Sequence, residues 1–100
     1  MVLAATHMST DAIDLGRGVT ITYTRWGAHD KVGLLEEHKR PDGTPCEGGV
    51  LFDLPGVREA FPDRALWQVE SWDPLTLSPS LLCRRCGHHG WIREGRWVPA

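Results

Sequence analysis

The sequence has few cysteines and no long apolar run. Three cysteines occur in 100 residues, and an odd number suits metal-binding thiolates in a reducing compartment better than a secreted disulfide framework. No stretch approaches the roughly 20 apolar residues that span a bilayer. The first five residues contain no basic side chain and do not resemble a signal peptide. We therefore expect a cytoplasmic protein that does not associate with a membrane.

The known motifs of hydrolytic enzymes are also missing. Zinc deaminases combine His-x-Glu with Pro-Cys-x-x-Cys, but here Pro79 stands four residues before Cys83, and no histidine is followed two residues later by glutamate. The metalloprotease pattern His-Glu-x-x-His is absent as well. Ser71, Ser78 and Ser80 lie outside any nucleophile-elbow pattern. We therefore expect a protein that is not an enzyme and has no catalytic residues.

Residues that form turns are abundant. The chain contains 11 glycines and 7 prolines, with 41% hydrophobic and 24% charged residues, a composition that favours strands and turns over long helices in a soluble globular protein. A chain of this length has room for one hydrophobic core. We predict a small, mainly antiparallel β-rich domain over residues 18–100, preceded by an N-terminal arm or short strand over residues 1–17.

The alternation of apolar and polar residues predicts most of the elements. Residues 19–26 alternate β-branched or aromatic side chains with threonines, which is typical of a half-buried strand. Residues 31–39 are also predicted as a strand, because the turn at 41–45 follows them, and this hairpin would bring His38 and Cys46 close together. The remaining assignments are a short helix at 55–61, a strand at 66–72, an irregular segment at 74–79 and a hairpin with strands at 91–93 and 96–98.

Cysteine spacing near the end of the chain indicates a metal site. Cys83 and Cys86 are separated by two residues, so both sulfurs can reach one ion, and Gly87 suits the tight turn that follows. His89 extends the pattern to Cys-x-x-Cys-x-x-His and is the expected third ligand. Cys46 is the expected fourth, and His38 is the alternative ligand. Four protein ligands would close the site, which predicts a structural Zn²⁺ in a zinc-ribbon-like domain.

Arginine and tryptophan are concentrated around this motif. The candidate binding residues are Arg84, Arg85, Trp91, Arg93, Arg96 and Trp97. Trp and Arg are over-represented at protein interfaces, and the same residue types hold single-stranded nucleic acid by stacking and charge. The whole chain has a net charge of -2, whereas domains that bind nucleic acid are usually basic. A protein partner is therefore the first expectation and nucleic acid the alternative.

Two segments carry a resemblance to a known family. One segment runs from Trp72 to Ile92 and has a Thr-Leu-Ser-Pro-Ser run before Cys83-Arg84-Arg85-Cys86-Gly87-His88-His89-Gly90. The other runs from His38 to Gly49. Both are similar to small proteins of undefined role that are encoded mainly by bacteriophages of actinobacteria. The likeness covers residues 31–100. It implies a phage origin and a zinc-stabilised β-rich fold.

These observations lead to two expected functions. The first is a non-enzymatic phage accessory or virion-associated protein that contacts a phage or host protein, in the host cytoplasm or the virion. The second is a nucleic-acid-binding zinc module that uses the arginines and tryptophans of the last hairpin.

Overall fold

The computed structural model describes residues 12–26 and 29–100, which form nine strands and one short helix. The strands are β1 (Ile13–Gly16), β2 (Val19–Trp26), β3 (His29–Lys39), β4 (Pro45–Leu51), β5 (Gln68–Trp72), β6 (Leu75–Ser78), β7 (Leu81–Leu82), β8 (His89–Arg93) and β9 (Arg96–Pro99), and the helix α1 spans Pro55–Ala60. Every strand pair is antiparallel. The structure confirms the small β-rich fold with one short helix.

The first four strands form one sheet in the order β1-β2-β3-β4. The pairing of β3 with β4 continues without a shift from Gly33 opposite Leu51 to Lys39 opposite Pro45. His38 and Cys46 are therefore direct neighbours across the hairpin, as the sequence predicts. The turn between them is closed by backbone bonds of 2.8 Å from Arg40 N to Thr44 O and from Gly43 N to Arg40 O.

The other five strands form a β5–β6 hairpin and a sheet in the order β7-β8-β9. The hairpin predicted around Glu94 and Gly95 is present as β8 and β9. The prediction of an irregular segment at 74–79 is wrong, because Leu75–Ser78 forms β6. Leu75 and Leu77 alternate toward the core with Thr76 and Ser78 on the other face, a short strand pattern that the prolines on either side obscured.

The hydrophobic core joins all three sheets into one domain. Its buried members are Leu15, Val19, Ile21, Leu34, Val50, Phe52, Leu75, Leu77, Leu81, Ile92 and Trp97. Leu15 belongs to β1 and is 4% exposed, so the sheet extends into the segment predicted as an N-terminal arm. Residues 1–11 of that segment lie outside the described residues.

Helix α1 lies against this core and buries little of its own surface there. Pro55 stands in its first turn, where a missing backbone N–H costs nothing, and Val57 is its buried residue. The helix has six residues and ends before Pro62. No helix in the described part of the chain is both long enough and apolar enough to cross a membrane.

Candidate functional site

Three cysteines and one histidine converge where the first sheet meets the turn between β7 and β8. His38, Cys46, Cys83 and Cys86 each offer a ligand atom, and these atoms all lie within 4.8 Å of one another. His38 is the last residue but one of β3 and Cys46 is the second residue of β4, whereas Cys83 and Cys86 belong to the turn after β7. The group therefore joins segments that are distant in sequence. We call it the Cys3His group.

Local backbone bonds hold the two cysteines of the turn in place. Cys83 N donates to His88 O at 2.8 Å, and Gly87 N donates to Cys83 O at 2.8 Å. Gly87 has a φ of +81°, a left-handed conformation that glycine adopts without the clash of a Cβ atom. This turn directs both sulfurs toward the β3–β4 hairpin.

The spacing of the ligand atoms fits a metal ion. Zn–S bonds of about 2.3 Å in a tetrahedral site place two sulfurs about 3.8 Å apart, and Cys46 Sγ lies 3.7 Å from Cys83 Sγ. His38 Nε2 lies 3.1 Å from Cys86 Sγ. The three cysteines are free thiols. Three thiolates and one imidazole are donors typical of tetrahedral structural sites, so this group could hold a metal ion.

Glu36 orients the histidine of the group. Its Oε2 atom lies 2.7 Å from His38 Nδ1, and both side chains are almost fully buried. Nδ1 therefore bonds to a carboxylate while Nε2 faces the sulfurs, an arrangement that fixes the orientation of metal-binding histidines. Burial raises the pKa of Glu36, although the hydrogen bond and charge of His38 act in the opposite direction.

The imidazole of His88 stacks between His38 and the core. Its ring centroid lies 4.0 Å from that of His38 and 4.7 Å from that of Trp97, in near-parallel planes. Burial, followed by the charge of His38, lowers the pKa of His88. Glu36, His38 and His88 form a second group with convergent ligand atoms. Because Glu36 and His38 already bond to each other, we interpret these three residues as side chains that hold His38 in position for the Cys3His group, and not as a separate metal site.

The thiols differ in acidity. Burial raises the pKa of Cys83, but hydrogen bonds from the backbone of Arg85 and Cys86 and from neighbouring thiols outweigh it and lower the pKa to about 7. The backbone N–H of His88 lowers the pKa of Cys86, but burial and the Cys83 and Cys46 thiols leave it raised. Since thiolates are the form that binds metal, Cys83 is better prepared for that role than Cys86.

The structure groups three of the four predicted ligands and replaces the fourth. Cys46, Cys83 and Cys86 come together with His38, the alternative ligand, while His89 lies outside the group. Successive side chains of an extended segment point to opposite faces. Here His88 faces the group, and His89 lies on the outer face of β8, where it is exposed. The expectation that His88 would be the exposed member of the pair is therefore wrong.

His89 instead bonds to a serine on the outer face of the last sheet. Its Nε2 atom lies 2.9 Å from Ser80 Oγ. Leu82 pairs with His89 across β7 and β8, so Ser80, two residues before Leu82, stands diagonal to His89 on the same face. In the described part of the chain no carboxylate bonds to His89. We call Ser80 and His89 the serine–histidine dyad.

The predicted binding residues do not form one exposed surface. Arg84, Arg85, Arg93 and Arg96 are exposed, and Trp91 is half-buried with the Arg93 guanidinium 4.7 Å from its ring centroid. Trp97 is 4% exposed and belongs to the core, so its assignment as a binding residue is wrong. Trp97 pairs with Ile92 and Trp91 with Val98, which places the two indoles on opposite faces.

Residues 45–100, more than half of the chain, match the family model described as the bacterial ubiquitination-like system serine protease, BubE. The chain belongs to the BubE family. The matched range contains both residues of the dyad and three of the four residues of the Cys3His group. Comparisons with curated proteins and with solved structures found no match.

This family description corrects the expectation that the protein is not an enzyme. A family described as a serine protease points to an enzyme. The contact between Ser80 and His89 was not predicted, because it depends on the pairing of β7 with β8 and not on a nucleophile elbow. The sequence predicts no strand at 81–82 and begins the last hairpin at 91, so it carries no signal that joins these two residues. The phage origin, the virion location and the nucleic-acid partner stay predictions.

Proposed function

We propose that this protein is a serine hydrolase that cleaves peptide bonds, with Ser80 as the nucleophile and His89 as the general base. The observation that carries the proposal is the distance of 2.9 Å between Ser80 Oγ and His89 Nε2, within the range that matches a serine protease family. A hydroxyl in contact with an imidazole is the arrangement that activates serine for attack on a carbonyl.

The reaction uses the dyad in two halves. His89 Nε2 accepts the Ser80 Oγ proton as Oγ attacks the carbonyl carbon, and then donates that proton to the amine that leaves. The product of this half is an acyl ester on Ser80. A water molecule then attacks the ester while His89 accepts one of its protons and returns it to Ser80 Oγ, which releases the carboxylic acid.

Location favours Ser80 over the other serines of the matched range. Ser71 and Ser78 lie within β5 and β6, and neither forms a hydrogen bond with a histidine among the described residues. Ser80 lies on the outer face beside the exposed His89. A polypeptide substrate could reach this pair without displacing the core.

The family description also indicates the class of substrate. We propose that the partner is a protein of a bacterial ubiquitination-like system, bound through direct protein contact. Exposed Arg93 and half-buried Trp91 continue the face that carries His89. Residues of these types anchor many protein interfaces. This proposal keeps the expected protein contact and assigns it to substrate binding.

We further propose that the metal held by His38, Cys46, Cys83 and Cys86 is Zn²⁺. Zinc there would act as a structural cross-link, because the four protein side chains leave no open position for a substrate. Purified protein should contain about one zinc per chain by metal analysis. The variant Cys83→Ser should lose the zinc and melt at a lower temperature, since metal binding contributes to folding. Full zinc content in this variant would contradict the ligand assignment.

Labelling with a fluorophosphonate tests the hydrolase proposal. This reagent modifies activated serines, so the wild-type protein should be labelled at Ser80, as mass spectrometry of the digested protein would show. Ser80→Ala should abolish the labelling, and His89→Gln should slow it by about 10²-fold or more, the usual contribution of a general base.

Ser71→Ala is the matched control and should be labelled like the wild type. Zinc content and melting temperature should be equal in all four proteins, so that a lost label reports chemistry. An unlabelled wild-type protein, or equal labelling of Ser80→Ala, would contradict the proposal.

A further inference from the structure

Two consecutive glycines in β4 have no structural explanation within the described part of the chain. Glycine weakens the interior of a strand, and where it occurs it often marks a bulge or the close approach of another backbone. The β3–β4 register is continuous through Gly48 and Gly49, so they form no bulge. Neither has a positive φ. A Cβ atom on Gly49 would meet no atom within 4 Å, and one on Gly48 would be 4.0 Å from Glu36 Oε1.

Other strand glycines have a clear internal cause. A Cβ atom on Gly33 would overlap Val50 O, and one on Gly90 would lie 2.5 Å from the Trp97 ring. The space beside Gly48 and Gly49 is therefore left open, whereas the space beside Gly33 and Gly90 is filled by the protein itself.

Among the described residues, the same glycines lie on a sheet edge that Trp67 covers only at the end of the strand, beside Leu51. β4 is the last strand of its sheet. Phe52 N donates to Val32 O, toward β3, whereas Leu51 O accepts from Trp67 N on the other side. Since backbone groups alternate in direction along a strand, the N–H and C=O groups of Gly49 and Glu47 point away from β3.

A second edge strand borders the same space. β7 is the first strand of its sheet, and Cys83 N donates toward β8. By the same alternation the backbone groups of Leu82 point away from β8. Between the edges lies a groove of about 50 Å³ lined by Glu36, Gly48, Gly49, Val50, Trp67, Leu81, Leu82 and Cys83. Its volume admits a residue with a small side chain or none.

Two residues that line the groove are neighbours of Ser80. Trp67 donates its indole N–H to Ser80 O at 3.2 Å, and Leu81 directly follows Ser80. Leu82 also lines the groove and is 56% exposed, so it offers an apolar contact. A chain held along β4 would therefore lie close to Ser80.

We propose that the edge of β4 binds the substrate polypeptide as an added strand, with a glycine or alanine of the substrate in the groove between Gly49 and Leu82. Unpaired backbone groups on a sheet edge bind extended peptides in this way. This inference rests on the proposed hydrolase function, since the groove adjoins Ser80 through Trp67 and Leu81. It assigns the substrate class as an extended segment with small residues near the cleaved bond.

The experiment uses zinc-loaded full-length Ser80→Ala, which cannot hydrolyse the probe. The probes are two fluorescein-labelled seven-residue peptides without proline, identical except for a central Gly-Gly or Val-Val pair. Fluorescence anisotropy should show that the Gly-Gly peptide binds at least about tenfold more tightly. In NMR spectra of the backbone amides, addition of the Gly-Gly peptide should change the chemical shifts of Glu47 and Gly49 more than those of residues in β1.

Variants at Gly48 test the groove itself, because Gly48 pairs with Glu36 and shares its face, whereas Gly49 lies on the opposite face. Gly48→Ala and Gly48→Val should keep the zinc content and melting temperature of the parent, because the nearest atom to the added Cβ is Glu36 Oε1 at 4.0 Å. Gly48→Val should weaken binding of the Gly-Gly peptide by at least about tenfold, and Gly48→Ala should weaken it less. Gly49→Val is the matched control and should bind like the parent, since its Cβ atom meets nothing within 4 Å and lies on the opposite face.

The two proposals fail in different ways. If fluorophosphonate labels Ser80 in the wild-type protein but the Gly-Gly peptide does not bind, or binds Gly48→Val equally well, the groove inference is wrong and the hydrolase remains. If the peptide binds as described but Ser80 is never labelled, the groove binds peptides and the hydrolase proposal is wrong.

Discussion

Glu36 is a buried carboxylate whose Oε2 atom lies 2.7 Å from His38 Nδ1 and 4.0 Å from His88 Nδ1. An unpaired buried charge is costly, so the contact of 2.7 Å between Oε2 and Nδ1 explains why this residue can lie in the interior. The contact also holds His38 Nε2 toward the three sulfurs. Glu36 is thus a positioning residue for the Cys3His group.

Replacing this carboxylate should weaken metal binding without removing a ligand. Glu36→Gln keeps the shape of the side chain but loses its charge, and loss of such a supporting contact typically costs 10–100-fold in metal affinity. Competition with a coloured chelator would measure the change.

The neighbouring Glu37→Gln is the control, because Glu37 is exposed and its carboxylate contacts Thr20 on the opposite face of the strand. Equal zinc affinity in the Glu36→Gln and Glu37→Gln proteins would contradict a positioning role.

Single residues also show the limit of sequence reasoning about the site. The spacing of Cys83 and Cys86 and the hairpin that pairs His38 with Cys46 were predictable, because both depend on neighbours in sequence or across one turn. The choice between His38 and His89 was not. It depends on which face of β8 packs on the core, and His38 meets Cys86 across 48 residues of sequence.

At the scale of elements, β8 and β9 pack closely because one of them lacks a side chain. Gly90 lies in β8, and a Cβ atom there would be 2.5 Å from the Trp97 ring and 2.6 Å from Val98 O. The indole of Trp97 can therefore lie flat against the strand and reach the His88 ring. This contact connects the core to the turn that carries Cys83 and Cys86.

Gly90→Ala should disturb this contact. The added methyl group overpacks a buried site, which typically lowers the free energy of unfolding by 1–3 kcal/mol. Urea unfolding followed by circular dichroism would measure the loss. Gly56→Ala serves as the comparison, since a methyl group there enters open space. A Gly90→Ala protein as stable as Gly56→Ala would show that the strands separate easily.

Elements with clear alternation were the predictable part of the fold. β2, β3, the β8–β9 hairpin and α1 follow directly from alternating apolar residues, turn residues and proline positions. β6 was missed because it spans only four residues, Leu75–Ser78. The contact between Ser80 and His89 was not predicted for a related reason. The two residues meet because β7 pairs with β8, and β7 has only two residues, too few to show an alternating pattern in the sequence.

The whole molecule has one core shared by three sheets, so it should unfold in one step. Leu15, Leu75 and Trp97 come from three different sheets and pack in the same cluster. For the zinc-loaded protein we expect the urea transitions measured by far-ultraviolet circular dichroism and by tryptophan fluorescence to coincide. Two separated transitions would show that the last sheet folds independently of the first.

The Cys3His group has a further consequence for the unfolded chain. Cys46 and Cys83 are 37 residues apart, and a cross-link that closes a loop of this length removes conformational entropy worth about 4 kcal/mol from the unfolded ensemble, in the chain-entropy treatment of disulfides. A bound metal that persisted on unfolding would act in the same way. Because this quantity varies only with the logarithm of loop length, shortening the exposed turn at 62–65 would change it by only about 0.1 kcal/mol. The stabilisation would thus depend on the two ends of the loop far more than on the chain between them.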